Sequence, residues 1–232
     1  MVKSLDFERF SKFSLTSDAV VFTIMGDALK ILLIKRGKPP FEGMYALPGG
    51  FLRDGETFEQ GCTRELAEET NVSDIFLKKL NVYDAVDRDP RGRVITTAFL
   101  AIIDAERVRL EASTDAVGAG WFDVYSLPNL AFDHEQMIAD ALEELRYEIQ
   151  ISNIAVQLLG NKFTLSQLQA AYETILDTKL DKRNFRKRIK ELDVLAPLKE
   201  TVMEGAHRPA QLYRFKSKKY VLLKDKIHVL LK

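Results

Sequence analysis

The sequence has a single cysteine, no long apolar run and no net charge, and each of these narrows what the chain can be. Cys62 is alone among 232 residues, so no disulfide can close within the chain and a reducing compartment is expected. No apolar run approaches the roughly 20 residues that span a bilayer. The N-terminus, MVKSLDFERF, is charged where a secretory signal is apolar. A cytoplasmic protein with no membrane contact is the expectation. The zero formal charge comes from 34 basic and 34 acidic side chains, yet the halves are unlike. Residues 1–150 hold 17 Lys and Arg against 26 Asp and Glu, whereas residues 151–232 hold 17 against 8. The length admits two small domains, and the charge divides them into an acidic unit, 1–150, and a basic unit, 151–232, suited to a polyanion.

Most of the chemistry is concentrated in Gly50 to Val72, GFLRDGETFEQGCTRELAEETNV. Thr57 and Gln60 have capping-box spacing, and Asn71 suits the left-handed position that ends a helix, so Thr57 to Asn71 is predicted to be helical. Glu65, Glu68 and Glu69 then lie at i, i+3 and i+4, three carboxylates within reach of a common point on one face. A solvated acidic face is the plain alternative, but like charges at this spacing cost about 0.2–0.5 kcal/mol per pair, and Arg64 is the one base among them. A hard divalent cation, Mg²⁺ or Mn²⁺, turns that cost into a gain because carboxylate oxygens suit it. Cys62, with Leu66 and Thr70, falls on the flank that should face the core.

These residues resemble the Nudix hydrolase signature. Gly50, Glu56, Arg64, Glu65, Leu66, Glu68, Glu69 and Val72 stand in its register, Leu47-Pro48-Gly49-Gly50 is similar to its lead-in, and Asn71 replaces its glycine. The resemblance implies an α+β fold, with the Nudix α/β/α sandwich, and cleavage of a nucleoside diphosphate linked to another group, ADP-ribose above all. It implies catalytic roles for Glu56, Arg64, Glu65, Glu68 and Glu69. Glu65, Glu68 and Glu69 would hold the metal, Arg64 would orient Glu65, and Glu56 would support the site from outside. Gly49 and Gly50 fall to the substrate.

Before this box, Asp18–Met25 and Leu29–Lys35 are predicted strands around a Gly26-Asp27 turn. After it, 75–86, 94–103 and 118–124 are predicted strands. The loop 87–93 is either an ordinary hairpin tip or a substrate loop whose Arg88 and Arg91 meet phosphate. Trp121 is read as core. Asp133 is the expected N-cap of an amphipathic helix carrying Met137, Ile138, Ala141, Leu142 and Leu145, and His134 is read as a local hydrogen-bonder outside the catalytic set.

In the basic unit, 149–159 has apolar spacing for a linking helix, and Thr164 with Gln167 caps another. Asp181 begins DKRNFRKRIKEL, in which Phe185, Ile189 and Leu192 bury one side, while Arg183, Lys187 and Lys190 occupy the other with Asn184 and Arg186 at its shoulders. Turn-prone residues 197–209 and a strand over 211–215 complete a winged-helix plan. Arg183, Asn184 and Arg186 are candidates for base edges; Lys187, Lys190 and Arg208 are candidates for phosphate. For residues 217–232 the pattern offers no assignment.

The order of FTLSQLQAAYETIL, LDKRNFRKRI and RPAQLYRF behind the Nudix box resembles the Nudix-related transcriptional regulators of NAD metabolism and of sugar use. That resemblance implies a homodimer that binds a double-stranded DNA operator and whose Nudix domain senses ADP-ribose or a similar effector. Several such regulators have a degraded box and do not hydrolyse; here Arg64, Glu65, Glu68 and Glu69 are all present, so a regulator that also hydrolyses its effector is expected. The alternative is mainly a Mg²⁺-dependent ADP-ribose-type pyrophosphohydrolase with an accessory basic domain.

Overall fold

The computed structural model describes residues 12–73, 75–105, 110, 116–203 and 209–223. The first unit contains β1 (Ser14–Met25), β2 (Ala28–Arg36), β3 (Tyr45–Ala46), β4 (Gly49–Phe51), α1 (Phe58–Thr70), β5 (Leu77–Tyr83), β6 (Val94–Ile102), β7 (Ala116–Asp123) and α2 (His134–Ile151). Gly26, at φ 61°, makes the tight turn that pairs β1 with β2. The strands form one mixed sheet in which β1 is central: β2 and β4 pair with it antiparallel, β6 pairs parallel, β5 flanks β6, and β3 and β7 flank β2.

Alternation along β1 sorts its side chains between two layers. Ala19 and Val21 pack with Cys62, Leu66 and Val72 on the α1 side, where Trp121 also contributes. Val20 and Phe22 pack with Met137, Ile138, Ala141, Leu145 and Ile149 of α2 on the other. This is the expected α/β/α sandwich. The predicted strand over 75–86 is shorter, Leu77–Tyr83.

The second unit contains β8 (Phe163–Thr164), α3 (Leu165–Leu176), α4 (Lys182–Leu192), β9 (Leu195–Val202) and β10 (Ala210–Phe215), with the three strands paired in the order β8-β10-β9. It is a winged helix. Thr164 and Gln167 form the capping box of α3, and the Asp181 carboxylate accepts from the Asn184 N–H at 2.7 Å to start α4. Phe185, Ile189 and Leu192 are buried. The apolar cluster on the α2 side of the sheet runs without interruption through Ile154, Phe163, Tyr172, Ile175 and Phe185, so the two units share a core.

The expected linking helix over 149–159 is not continuous. α2 stops at Ile151, and a 3₁₀ turn follows over Ile154–Gln157. Ser152 Oγ donates to the Glu148 carbonyl and accepts from the Ile154 N–H, while the Asn153 side chain is engaged with residues 219 and 221. These local side-chain bonds replace the helical ladder. Among the described residues no helix is long and apolar enough to cross a membrane.

Candidate functional site

α1 begins and ends as its sequence predicts: Thr57 and Gln60 close a capping box, and Asn71 is left-handed at φ 60°. This fixes Arg64 over the box. Its Nε and Nη2 donate to the two oxygens of Glu56 at 2.6 and 2.8 Å, its Nη1 donates to Glu65 Oε1 at 2.6 Å, and Nη2 also reaches the Phe51 carbonyl. The Arg64 hydrogen bonds, helped by the Arg53 N–H, hold the Glu56 carboxyl down at about 2. Glu69 is the opposite case. Burial pushes its carboxyl up to about 8 against the Gly49 N–H that bonds it, and the nearby charges of Glu65 and Asp18 push the same way.

Gly49 and Gly50 are there because nothing larger fits. A Cβ on Gly50 would lie 2.5 Å from Glu65 Cδ, and one on Gly49 would lie 2.4 Å from the Ser17 carbonyl oxygen and 2.6 Å from Asp18 Oδ1. The expected meeting of Glu65, Glu68 and Glu69 at one point is not what the structure contains. Among the described residues no three His, Cys, Asp or Glu side chains converge, because Glu68 turns outward to Arg53 at 3.0 Å and to Arg64 at 3.3 Å. Carboxylates at helical spacing here take the nearest guanidiniums as counter-charge. Carboxylate chemistry still suits a hard cation: Glu69 is held where a proton or a cation lowers its energy, Glu65 lies close enough to push it the same way, and Glu68 would join them only by leaving Arg53 and Arg64.

On the far side of Gly49 and Gly50 opens a cleft lined by Thr16, Asp18, Arg36, Arg88, Arg91 and His134. Phe51 and Phe132 flank it; the Arg91 guanidinium lies 4.9 Å from the Phe51 ring centre and that of Arg36 lies 4.8 Å from Phe132. Loop 87–93, which joins β5 to β6, forms one wall of this cleft. Arg88 and Arg91 line the cleft, and both are held by carboxylates, Arg88 by Asp133 at 2.7 and 2.9 Å and Arg91 by Asp89 at 2.7 Å. That occupies the Asp133 side chain, which stands at the N-cap of α2 without making the expected capping bond. His134 is not a local bonder: its Nδ1 accepts from the Leu47 N–H at 2.9 Å, Nε2 lies 3.8 Å from Asp18, and burial lowers its pKa.

In the winged helix, Arg183, Arg186, Lys187 and Lys190 of α4 are exposed and have no hydrogen-bond or ion-pair partner among the described residues; Asn184 is half-buried at the shoulder. Arg188 is turned to Glu191 at 3.3 Å. Arg208 lies outside the described residues.

The NUDIX domain family matches residues 15–145, and the NrtR DNA-binding winged helix domain matches residues 155–215. The chain belongs to the Nudix family. An ADP-ribose pyrophosphatase of Methanocaldococcus jannaschii is 44% identical to this Nudix chain over 140 residues, 60% of the chain and 81% of that protein. The ADPR responsive transcriptional repressor NtrR of Acinetobacter baylyi is 32% identical over 210 residues, 89% of the chain and 83% of that protein. Shewanella oneidensis NrtR, solved in complex with a 27mer DNA, superimposes with TM-score 0.78 at 33% identity, covering 87% of this chain and 93% of that one. Its NUDIX domain, solved with ADP ribose, superimposes with TM-score 0.57 at 33% identity over 61% of this chain and 94% of that one. The Nudix box was readable from sequence because it is one continuous segment. Thr16, Asp18, Arg36, Phe132 and His134 were not, because they come from β1, β2 and the start of α2 and meet only in the fold. One signal was present: Asp18 is the one charged residue in β1, followed directly by the apolar run Ala19–Phe22.

Proposed function

We propose that this chain is a ligand-responsive DNA-binding regulator whose Nudix domain binds ADP-ribose or a related nucleoside diphosphate and hydrolyses its pyrophosphate. It works as a cytoplasmic homodimer built from a ligand unit, 1–150, and an operator unit, 151–232. The observation that carries the reading is the unpartnered cationic face of α4 in a chain whose cleft gathers Arg36, Arg88 and Arg91. Guanidiniums already aimed by Asp133 and Asp89 present fixed forks to diphosphate oxygens. Phe51 and Phe132 flank the same cleft with flat apolar surface.

Glu65, Glu68 and Glu69 would hold a divalent cation, Mg²⁺ or Mn²⁺, which when bound neutralises phosphate charge and acidifies water. Arg64 keeps Glu65 aimed and compensates the charge of Glu56. Gly50 leaves no Cβ between the cleft wall and the Glu65 carboxylate, and Gly49 lets the same turn pack against β1. The relatives support both activities: one is named for ADP-ribose pyrophosphatase activity, another for ADPR-responsive repression.

On DNA, Arg183, Asn184 and Arg186 of α4 address base edges, Lys187, Lys190 and Arg208 address phosphates, and a dimer reads two half-sites about one helical turn or a multiple apart. The deciding experiment incubates the protein with ADP-ribose and Mg²⁺, follows AMP release, and adds DNA from upstream of its own gene to the same sample. AMP release together with operator binding that changes with ADP-ribose is expected. No gel shift at low salt overturns the regulator; no AMP release overturns the hydrolase.

A further inference from the structure

Residues 217–223 follow the last strand of the winged helix. They return to the sandwich. Val221 N–H donates to Asn153 Oδ1 at 2.7 Å, the Asn153 N–H donates to the Val221 carbonyl at 3.1 Å, and Leu223 N–H donates to the Ile151 carbonyl at 2.7 Å, a short antiparallel pairing against the end of α2. The Tyr220 hydroxyl donates to Glu148 Oε2 at 2.7 Å, and its ring stacks on Phe76, just before β5, at 5.1 Å. Glu148, whose side chain is 2% exposed, also receives Lys78 of β5 at 2.5 Å, and Lys78 is shared with Glu144. A buried carboxylate is retained here with both oxygens engaged, which is costly unless its partners are fixed. Moreover, the Nudix match stops at residue 145, and the winged-helix match runs from 155 to 215, so Glu148, Asn153 and Tyr220 lie in sequence that neither family accounts for.

α2 connects this joint to the cleft. His134 at its first turn lines the cleft, Glu148 near its end holds Tyr220, and the 14 residues from one to the other, at about 1.5 Å each, separate them by roughly 21 Å. In between, Arg146 donates to the Ile175 carbonyl at the end of α3 at 3.2 Å and to the Tyr125 hydroxyl at 2.9 Å. The winged helix is thus held to α2 at two places, through α3 and through the returning segment. These polar ties add direction to the apolar core that the two units share.

Resting on the regulator reading, we propose that residues 217–223 form a strap that fixes the angle between the winged helix and the sandwich, with Tyr220 as its latch on Glu148. Through this strap and α2, occupancy of the cleft reaches α4. The test uses the full chain carrying nitroxide labels at Glu59→Cys and Lys199→Cys, both exposed sites in different units; Cys62, 1% exposed, is inaccessible to the label. Label separation is measured by pulsed dipolar spectroscopy in the otherwise unmutated chain, in Tyr220→Phe, which keeps the ring on Phe76, and in Tyr220→Ala. Operator affinity with and without ADP-ribose is measured on the same three proteins. With labelled chain diluted into unlabelled chain so that separations within one protomer dominate, a single narrow separation is expected without the mutation, broadened by Tyr220→Phe and more by Tyr220→Ala. The operator-affinity ratio is expected to shrink by at least about fivefold, the lower end of usual coupling, while ADP-ribose affinity holds. Equal widths in all three proteins overturn the strap, and Tyr220→Phe decides the matter if Tyr220→Ala does not fold. Broadened widths with an unchanged ratio overturn its role in communication. If the unmutated chain shows no effect of ADP-ribose on operator binding, the regulator reading has failed, and the widths alone then decide whether the strap exists.

Discussion

Replacing Gly50 by alanine tests the geometry of the box with one methyl group. The new Cβ would stand 2.5 Å from Glu65 Cδ and 2.6 Å from Oε1, where ordinary contact begins at 3.4 Å, so the carboxylate must retreat by about 0.9 Å. It is the free end of a side chain and can move. Moving gives up its 2.6 Å bond from Arg64, about 1.5–3 kcal/mol for a charge-assisted bond in a partly buried site. Arg64 keeps Glu56 and the Phe51 carbonyl, and alanine restricts the unfolded chain, which offsets about 0.4–1 kcal/mol. The net loss is about 1–2 kcal/mol, and each kcal/mol lowers Tm by roughly 2–4 °C at this chain length. Turnover suffers more, since a misplacement of about 1 Å costs on the order of a hundredfold. Gly49→Ala should invert the pattern. Its Cβ meets the Ser17 carbonyl oxygen at 2.4 Å and Asp18 Cα at 2.8 Å, backbone of the central strand that cannot withdraw, so about 3 kcal/mol or more of stability is lost. Thermal melts, Mn²⁺ titration followed by electron paramagnetic resonance, and AMP release from ADP-ribose measure the three quantities. Gly50→Ala with unaltered hydrolysis and Mn²⁺ affinity, or as unstable as Gly49→Ala, would refute the argument.

The other expectations concern the cleft, the acid limb of stability and the DNA face. Asp133→Ala strands the Arg88 guanidinium, 4% exposed, without its carboxylate; titration calorimetry should find ADP-ribose affinity down about tenfold and urea unfolding a loss of about 2–3 kcal/mol, with Asp133→Asn milder. Glu56 is held at about 2 when folded against an ordinary 4.5, so its contribution is complete above about pH 4.5 and is lost as pH falls toward 2. Urea midpoints measured across that window should fall less steeply in Glu56→Gln than in the unmutated protein. Lys187→Ala and Lys190→Ala should each flatten the log–log salt dependence of operator affinity by about 0.9 per lost phosphate contact, without changing which sequence is preferred; a shifted preference would move these side chains from phosphate to base edges.

What could be read from the sequence was whatever a single segment encodes. The caps of α1, α3 and α4 each depend on residues three apart, and all three stand as their spacing predicts. The buried stripe of α4 and the packing of Cys62 follow from helical period in the same way. Where sequence reasoning fell short, distant partners decided the outcome. Residues 149–159 have helical apolar spacing, since Ile149, Ile154 and Leu158 are all buried, yet Ser152 and Asn153 bond elsewhere and break the helix. The rotation of Glu68 toward Arg53 depends on a loop fifteen residues upstream. Asp133 forgoes its cap for an arginine 45 residues away. Segment 217–223 could not be assigned from its pattern, because the partners that place it, Asn153, Glu148 and Phe76, lie more than 60 residues away.

The two faces of the sheet keep separate company. On one, Ala19, Val21, Leu32, Cys62 and Leu66 form a closed cluster under the glutamate helix; on the other, Val20, Phe22 and α2 continue into the winged helix. The layer beneath the glutamate helix can therefore change without disturbing the layer that the sheet shares with the winged helix, whereas a substitution among Val20, Phe22 and their α2 partners is felt in both units at once.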